Sequence, residues 1–593
     1  MTHRFPLKNP LLATALALSA LAAEAEPFTF GFMADTQWTS NDAANNPSTV
    51  ALGIMNQILP KFVEHKVKFV LQFGDMTDNG SNAGLDVWGV AAQQLYTAGI
   101  GFYPVRGNHE PSAAAATRFK LNFPQTRGQG ANVAGATGHR SPTTPTGLGG
   151  LTYAFEYGNA TFLAIDQFTH EDGTGSSANN ATLDQIPWIT QTLAAKPAGT
   201  HAFLFAHKPL IGQNHVDNLL GANPSSNPTE RNALIKSMAA NGGRYFLSGH
   251  DHMYNRSIVK SPDGTASVHN IIHASDSYKF YIPTIPSNDQ RYNPTNRQET
   301  PIAQELFTVG YYIATVDGPN FTVTHYASDN GCGGSLGAGK DCDLRATPTL
   351  SFVKRETYGY SLIGKEFVIQ PGATFTNVAD AGPTGAGWAG TRMSIIDGNN
   401  NDSSTIYDGR VAVQDINTGW APRAEAANNT ALRSDVLTLW GMHNAIGSEQ
   451  GDTYTLSVKY EDAARGSLAL VTKSDDGAWV PVAQRNFGGA AKFVAGPYKA
   501  GYALGTYGVD HATKTAWAVV NRGGEFAVAQ GLDGDLNGDG VIDNRDVALL
   551  QQMVANAATA QPGADLDNDG ALTALDLRKL ALLCTLANCA TPR

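Results

Sequence analysis

Residues 27–350 alternate short apolar runs with stretches of helical periodicity. Within residues 50–65, Ile54, Ile58 and Phe62 recur at the spacing that places side chains on one face of a helix. We predict strands at 28–34, 68–73, 102–105, 152–157, 161–165, 202–205 and 245–247, and helices at 50–65, 85–98, 182–195 and 230–240. This order predicts an α/β domain over residues 27–350, with layered sheets covered by helices.

The pattern changes near residue 350, where helical periodicity gives way to short alternating runs separated by Gly, Asn and Asp. Residues 453–460 alternate apolar and polar positions, and similar runs lie at 467–473, 478–484, 515–520 and 525–529. Residues 351–530 therefore predict an all-β sandwich as an accessory domain. Tryptophans in this region either pack in its core, which we favour, or form platforms for sugars: Trp388, Trp420, Trp440, Trp479 and Trp517.

Residues 533–593 contain a repeat, whose copies begin at Asp535 and, thirty positions later, at Asp565. Each copy supplies oxygen-bearing side chains at positions one, three, five, nine and twelve, with glycine at position six. This is the spacing of an EF-hand calcium loop, although Asp stands where Glu is usual at the end. Helical stretches follow at 547–554 and 577–583. The repeat predicts a small helical module that binds two calcium ions.

The N-terminus has the pattern of a secretory signal. Arg4 and Lys8 precede an apolar stretch at 11–23, which is too short to span a bilayer, and Ala23 and Ala25 offer a cleavage site. We predict a signal peptide over 1–25 and a secreted or periplasmic protein with no transmembrane segment after cleavage; a retained anchor is the alternative. The net charge of −11 argues against a nucleic-acid-binding surface.

The four cysteines form two close pairs, Cys332 with Cys342 and Cys584 with Cys589. An even count at short spacing in an exported chain favours disulfides. Metal binding by these cysteines is the weaker alternative, because neither pair has the C-x-x-C spacing.

Groups of oxygen and nitrogen ligands follow the predicted strands, and strand ends are where α/β sheets build their sites. In order they are Asp35, Thr36 and Gln37; Gly74 and Asp75; Asp78; Gly107, Asn108, His109 and Glu110; His207; and Gly249, His250, Asp251 and His252. Phosphate ester hydrolysis requires neutralised phosphoryl oxygens and activated water, which two cations about 3.5–4 Å apart provide. Mixed oxygen and imidazole ligands suit Mn, Fe or Zn better than Ca. The set predicts a two-metal phosphoesterase site.

The same residues, from Asp35 to His252, resemble the calcineurin-like metallophosphoesterases over residues 27 to about 260. The resemblance implies an α/β (α+β) fold in which two mixed β-sheets form a sandwich flanked by helices. It also implies metal ligands: Asp75 bridging both metals; Asp35, Gln37 and His252 on the first; Asn108, His207 and His250 on the second.

The resemblance gives His109 the role of a general acid or electrostatic stabiliser that faces the leaving oxygen. Asp78 would orient the His109 ring and raise its pKa, or else is simply a turn residue. Gln37 stands where the family usually has His, which predicts a weaker first metal site. The arginine that follows the second motif in protein phosphatases is replaced by Asn79, which argues against phosphoprotein substrates. Arg106 is either a phosphate or second-layer contact or an ordinary surface ion pair.

Long loops between the motif-bearing strands carry further candidates for substrate contacts. These are His139, Arg140, His170 and His215, each of which is more often solvated than functional.

The repeated loops with their helices resemble a dockerin. The resemblance implies calcium ligands Asp535, Asn537, Asp539, Asp543 and Asp546 in the first loop, and Asp565, Asp567, Asp569, Thr573 and Asp576 in the second. Dockerins bind cohesin domains, so a cohesin-like partner is implied. A calcium-stapled structural end-piece, locked by Cys584 and Cys589, is the alternative.

Together these patterns predict a secreted metal-dependent phosphoesterase that uses activated hydroxide on phosphate mono- or diesters. Nucleotides, phospholipid head groups and pyrophosphate stay open as substrates. The alternative is a catalytically inactive secreted binding or scaffold protein that acts through its β domain and dockerin-like module. Retention of His109 and of nearly the whole ligand set favours the enzyme.

Overall fold

The computed structural model describes residues 26–39, 45–175, 182–281, 298–330, 342–362, 366–368, 374–375, 392–395, 415–421, 431–434, 436–440, 450–460, 468–474, 478–531, 533–536, 542–558, 563–567, 569–584 and 589–590. The predicted signal peptide at 1–25 lies outside these residues, as do Cys332, Trp388, Asn537 and Asp539.

The N-terminal part of the chain alternates strands and helices as its hydrophobic pattern predicts. Its strands are β1 (Phe28–Met33), β2 (Phe69–Phe73), β3 (Gly101–Val105), β4 (Thr137–Arg140), β5 (Tyr153–Tyr157), β6 (Ala160–Ile165), β7 (His201–Ala206), β8 (Tyr245–Ser248), β9 (Tyr254–Lys260), β10 (Ser267–Ile272), β11 (Lys279–Phe280), β12 (Glu299–Glu305), β13 (Thr308–Asp317), β14 (Asn320–Asp329), β15 (Cys342–Asp343) and β16 (Val353–Ser361). Its helices are α1 (Leu52–Glu64), α2 (Asn82–Ala91), α3 (Gln93–Thr97), α4 (Ala113–Asn122), α5 (Ile186–Ala195) and α6 (Pro228–Ala240).

Two mixed sheets organise this region. One has the strand order β16-β14-β13-β1-β2-β3, and the other β12-β9-β10-β8-β7-β6-β5-β4. β1, β2 and β3 run parallel, as do β6, β7, β8 and β10, while the outer strands pair antiparallel. The carboxyl ends of the parallel strands carry the chemistry-bearing motifs.

The two sheets pack face to face on an aromatic core, and helices cover their outer faces. The Phe30 ring of β1 lies 5.1 Å from Phe162 and 5.4 Å from Phe203 of the opposite sheet, measured between ring centroids. On the outer face of the first sheet, α1 buries Ile54, Ile58 and Phe62, as its periodicity predicts. Helices α5 and α6 cover the second sheet. The layers agree with the two flanked sheets that the resemblance implies.

The structure contains elements that the sequence did not predict, namely α4, β4 and β9 to β16, and it corrects two predictions. The helix predicted over 85–98 is two helices, α2 and α3, which meet at Ala92. Gly84 and Gly89 lie within α2, and glycine costs a helix about 1 kcal/mol relative to alanine. The boundary predicted near 350 precedes β16, yet β16 pairs with β14 of the first sheet. We therefore propose that the first domain extends to residue 362.

The β-rich region that follows forms two further sheets. Its strands are β17 (Glu366–Val368), β18 (Thr374–Phe375), β19 (Arg392–Ile395), β20 (Asp415–Ala421), β21 (Ala431–Leu432), β22 (Val436–Trp440), β23 (Gln450–Lys459), β24 (Leu468–Lys473), β25 (Trp479–Pro481), β26 (Lys492–Ala495), β27 (Thr506–Asp510), β28 (Thr515–Arg522) and β29 (Gly524–Gln530). Leu456 of one sheet and Phe526 of the other lie in a shared core. Trp517 is buried, stacks on Tyr502 and donates to the Gly496 carbonyl, so this tryptophan is a core residue.

The C-terminal residues form a pair of helices, α7 (Asn544–Ala555) and α8 (Ala574–Leu583). Ile542, Leu550 and Leu580 bury a small common core. Cys584 and Cys589 form the predicted disulfide. Cys342 is also disulfide-bonded, while its predicted partner Cys332 lies outside the described residues. Within the described ranges, the helices are too short or too polar to cross a membrane.

His201, at the start of β7, makes the stability of the first domain sensitive to acid. Its ring is fully buried, with Nδ1 3.0 Å from the Tyr360 hydroxyl and Nε2 2.9 Å from the Gly318 carbonyl oxygen. Burial lowers the pKa of His201 to about 4. Because the folded pKa lies below the unfolded one, this stability is present above the unfolded pKa and is lost as the pH falls towards 4.

We expect His201→Gln to reduce the acid sensitivity of folding. Between pH 7 and pH 5 the wild-type protein should lose about 2 kcal/mol more free energy of unfolding than the variant. Urea titrations at both pH values measure this difference, with His511→Gln, at an exposed histidine of the β-rich region, as the control. Equal pH responses of wild type and His201→Gln would contradict the assignment.

Candidate metal centre

The predicted site residues come together at the carboxyl ends of five parallel strands. Asp35 follows β1, Asp75 follows β2, His207 follows β7, and His250 follows β8. Asn108 and His109 lie in the turn after β3. Backbone contacts join these turns: the Asp35 N–H donates to the Gly74 carbonyl at 3.1 Å, and the Gly249 N–H to the His207 carbonyl at 2.9 Å. The His250 N–H donates to the Asp35 carboxylate at 3.0 Å and so connects the two sheets.

The Asp75 carboxylate lies at the centre of the cluster. Its Oδ1 accepts the His109 backbone N–H at 3.0 Å. Its Oδ2 lies 3.1 Å from Gln37 Nε2 and 3.3 Å from His207 Nε2. With 1% of its surface exposed, Asp75 faces other polar side chains rather than water.

Two sets of ligand atoms share Asp75. Asp75, His207 and His250 bring ligand atoms within 4.8 Å of one another, and so do Asp35, Asp75 and His252. Asn108 belongs with the first set, because its Oδ1 lies 2.8 Å from His207 Nε2. The resemblance implies the same division into two sets, with Asp75 common to both.

Glycine is required where backbone closes around these carboxylates. A Cβ on Gly107 would lie 2.0 Å from Asp75 Oδ1, and one on Gly249 would lie 2.4 Å from Asp35 Oδ2. Both distances are far below van der Waals contact. Gly107 and Gly249 thus leave room for the carboxylates of Asp75 and Asp35.

Hydrogen bonds fix which ring nitrogens face the centre. His207 Nδ1 lies 2.9 Å from the Phe73 carbonyl, and His252 Nδ1 lies 3.0 Å from the Lys279 carbonyl. In each ring Nδ1 must donate to these oxygens, which leaves the Nε2 lone pair for a cation. His250 has the opposite arrangement: its Nδ1 faces His207 Nε2 at 3.1 Å, while its Nε2 lies 3.6 Å from Asp217.

The electrostatics of the centre suit bound cations. Burial raises the pKa of Asp35 to about 7, and the neighbouring Asp75 adds to the effect. Burial would also raise the pKa of Asp75, but His207 and His109 hold it well below its ordinary value. Burial lowers the pKa of His250 to about 4, so its ring is neutral and can ligate near pH 7. Two carboxylates enclosed together repel each other, and divalent cations between them would relieve the repulsion.

Gln37 also fits a role at the centre. Its Nε2 lies 3.1 Å from Asp75 Oδ2 and 3.2 Å from His252 Nε2, while its buried Oε1 has no hydrogen-bond partner. Turning the amide by half a rotation would bring this oxygen to face Asp75 and His252. In that orientation the oxygen would be available to a cation held by Asp75 and His252.

His109 lies beside the centre with its ring partly exposed. Its Nε2 lies 3.8 Å from Asp75 Oδ2, and its Nδ1 lies 2.6 Å from the Asp78 carbonyl oxygen. The Asp78 carboxylate is farther away, with 3.7 Å between its Oδ1 and His109 Nδ1. Asp78 therefore contacts the ring mainly through its backbone.

Arg106 is neither a surface ion pair nor exposed to substrate. It is fully buried and forms a bidentate ion pair with Asp166, at 2.8 and 2.7 Å. It also donates to the Glu110 carbonyl at 3.2 Å. Glu110 in turn accepts the Gly107 and Thr77 N–H groups, both at 2.9 Å. This network supports the turns that carry Asp75 and Asn108.

Of the four loop candidates, His215 lies at the centre. Its ring is 4.2 Å from that of His250, and its Nδ1 lies 2.9 Å from Asp251 Oδ1. The other three lie elsewhere: His139 stacks near Phe155, Arg140 pairs with Glu156, and His170 contacts Thr174.

Sequence reasoning missed several groups around the centre. Asp217 lies between His250 and Lys208, with 2.6 Å from its carboxylate to Lys208 Nζ. Tyr278 and Lys279 reach Asp78 from a distant part of the chain. Asp217, Tyr278 and Lys279 belong to no short sequence motif. Asp251, which contacts His215, differs because it lies within the motif from Gly249 to His252.

Residues 28–254 match the family described as Calcineurin-like phosphoesterase. The match covers less than half of the chain and spans the proposed ligands of the centre from Asp35 to His252. Residues 533–581 match the family described as Dockerin type I domain. The family makes divalent metals the expected occupants of the centre, and the described clusters of Asp and His fit them.

Several solved structures are similar to part of the chain. GAP50, the anchor in the inner membrane complex of Plasmodium, is 13% identical, with 54% of this chain and 88% of that chain covered and a TM-score of 0.31. A dimetal phosphatase from Danio rerio is 16% identical, with coverage of 50% and 95% and a TM-score of 0.30. Purple acid phosphatase PPD1 from yellow lupin (Lupinus luteus) seeds is 13% identical, with coverage of 55% and 57% and a TM-score of 0.34. No curated protein matches the chain.

The dockerin region has the same contacts in both copies of its repeat. Asp546 Oδ1 accepts the Leu536 N–H at 2.7 Å, and Asp576 Oδ1 accepts the Leu566 N–H at 2.8 Å. Asp543 and Thr573 cap α7 and α8. In the second loop, ligand oxygens of Asp565, Asp567 and Asp569 lie within 4.8 Å of one another.

One carboxylate of this loop is short of partners. Asp567 Oδ2 is buried and has no hydrogen bond, and desolvation together with the charges of Asp576 and Asp569 raises its pKa. The loop therefore fits a cation. Asp535 is described in the first loop, while Asn537 and Asp539 lie outside the described residues.

Proposed function

We propose that the protein is a secreted, binuclear metal-dependent phosphoesterase that hydrolyses phosphate mono- or diesters. The observation that carries this proposal is the convergence of two ligand sets on the buried Asp75 carboxylate. Buried, mutually repelling carboxylates that converge with imidazoles favour bound cations over an inactive scaffold. The phosphoesterase family and the clusters support the metal-dependent chemistry.

The residues of the centre have separable roles in this proposal. Asp75 would serve both metals, Asp35, Gln37 and His252 would hold one, and Asn108, His207 and His250 would hold the other. When bound, the cations neutralise phosphoryl oxygens and lower the pKa of water to supply hydroxide at neutral pH.

His109 is placed to act on the leaving oxygen. Its Nδ1–H is held by the Asp78 carbonyl, so its Nε2 faces the centre, 3.8 Å from Asp75 Oδ2. In the protonated form, Nε2–H donates a proton to the departing alkoxide, which is the step that an alcohol leaving group needs most. Asp78 holds the ring in that orientation.

Metal removal and reconstitution test the proposal. The chelated protein should be inactive, and Mn, Fe or Zn should restore turnover of nitrophenyl phosphate or bis-nitrophenyl phosphate. Asp75→Asn should lower kcat at least about 100-fold and lower the content of bound metal, because even residues that only support metal ligands cost 10–100-fold. Asp263→Asn, at an exposed ion pair with Lys236, is the matched control. Two metal ions bound to Asp75→Asn at full turnover would sink the assignment.

His109→Ala tests the general acid. We expect a loss of about 100-fold or more in kcat on alkyl phosphates, whose leaving groups need a proton. The loss on nitrophenyl esters should be less than about tenfold, because nitrophenolate leaves without protonation. His511→Ala, at an exposed histidine of the β-rich region, serves as a control. Equal losses on both substrate types would indicate a metal-binding or electrostatic role instead.

The dockerin region adds a second proposed function: two calcium ions order the module, and the module attaches the enzyme to a cohesin-like partner. The five predicted oxygen positions of each loop and the family match support this proposal. Type I dockerins also support an extracellular location, in agreement with the predicted signal peptide. No ligand of the phosphoesterase centre comes from this module.

We expect residues 533–593 to fold only with calcium, because cation binding to the folded loops contributes its free energy to folding. Circular dichroism of this isolated segment should show helix with calcium and its loss with EGTA. A chain truncated after residue 530 should keep phosphoesterase turnover. Helix content that ignores calcium, or loss of turnover in a folded truncated chain, would refute the corresponding half of the prediction.

A further inference from the structure

The segment from Ser275 to Lys279 contacts one of the proposed metal ligands directly. The Ser275 hydroxyl lies 2.9 Å, and the Lys279 carbonyl 3.0 Å, from His252 Nδ1. The Ser275 hydroxyl also lies 2.8 Å from the Lys279 carbonyl, and the Lys279 N–H donates to Ser277 Oγ at 3.1 Å. The backbone of Lys279 is thus fixed beside the centre.

The side chain of Lys279 turns from this backbone towards Asp78. Its Nζ lies 3.1 Å from Asp78 Oδ1, and the Tyr278 hydroxyl donates to the same oxygen at 3.3 Å. The Lys279 ammonium also lies 5.1 Å from the centroid of the Tyr278 ring. One carboxylate oxygen is therefore held by two donors that come from a segment 200 residues away.

Asp78 offers His109 two competing acceptors. Its carbonyl oxygen lies 2.6 Å from His109 Nδ1, and its carboxylate Oδ1 lies only 3.7 Å from the same nitrogen. A carboxylate is a stronger acceptor than a carbonyl. The carbonyl is the nearer acceptor for the His109 proton, while Lys279 and Tyr278 donate to Asp78 Oδ1.

We propose that Lys279 is a positioning residue: its ammonium holds the Asp78 carboxylate away from His109, so that the Asp78 carbonyl orients the ring with Nε2 facing the metal centre. This inference rests on the proposed function, in which His109 serves the leaving group. Lys279 thereby brings a cation from a distant segment to the residues that follow Asp75. In protein phosphatases an arginine follows this motif, whereas this chain has Asn79 there.

A purely structural role for this ion pair predicts a different outcome. Both partners are partly exposed, at 19% for Lys279 and 25% for Asp78. If the Lys279–Asp78 ion pair served stability alone, its removal would change kcat equally on alkyl phosphates and on nitrophenyl phosphate.

Kinetics on two substrate types test the proposal. Lys279→Met removes the charge but keeps a side chain of similar length. The backbone carbonyl of residue 279, which accepts from His252 Nδ1, is not changed by the substitution. We expect kcat on alkyl phosphates to fall about tenfold, with a loss under about threefold on nitrophenyl phosphate and little change in KM or metal content. Lys279→Arg should recover most of the loss. Lys236→Met, which removes an exposed Lys–Asp pair of similar length, should match wild type.

A double variant separates action through His109 from direct action on substrate. In the His109→Ala background, Lys279→Met should cause no further loss on alkyl phosphates. An additional loss equal to that of the single variant would overturn the proposal, as would equal losses on both substrates in Lys279→Met alone. A wild-type protein that turns over no phosphate ester after metal reconstitution would refute the proposed function instead.

Nitrogen NMR of histidine-labelled protein provides a readout that does not depend on turnover. The His109 signals, identified by their absence in His109→Ala, should show a protonated Nδ1 in the wild type and in Lys279→Arg. They should shift in Lys279→Met and stay unchanged in Lys236→Met. An unchanged His109 spectrum in a folded Lys279→Met variant would overturn the positioning role.

Discussion

The enclosure of the Asp75 carboxylate beside Asp35 is the constraint on which the site depends. Both side chains are buried, both lie against imidazoles, and each also accepts a backbone N–H from a turn that belongs to another strand. The backbone is strained where these side chains converge. Positive φ angles occur at four of the residues: Asp35, Asp75, His250 and His252. Such conformations cost about 1–3 kcal/mol each and persist only where surrounding structure enforces them. Cations shared by Asp75 would offset the repulsion between the carboxylates.

The sandwich explains how residues far apart in sequence meet at this point. Parallel strands of both sheets end at the same edge, so that one short turn after each strand contributes one or two ligands. The Asp35 carboxylate then accepts the His250 N–H from the opposite sheet. Glu110 and the buried Arg106–Asp166 pair support the same turns from behind. The positions of the proposed ligands therefore depend on how the two sheets pack against each other as much as on the short sequence motifs that carry the ligands.

Much of this arrangement was predictable because its chemistry lies in short segments after apolar strands. Asp35, Asp75, Asn108, His207, His250 and His252 could be placed by strand ends and by the resemblance. The roles of Tyr278 and Lys279 could not, because they reach Asp78 through tertiary contacts from a segment with no motif. The same holds for Asp217, whose link to His250 depends on a loop conformation. The extension of the first sheet through β16 was missed because its pairing with β14 is non-local.

Anomalous diffraction from crystals grown with manganese tests the central claim most directly. The account predicts two peaks about 3.5–4 Å apart, both within coordination distance of the Asp75 carboxylate. One peak should lie beside Asp35 and His252, and the other beside Asn108, His207 and His250. A single peak, or two peaks that do not share Asp75, would contradict the account.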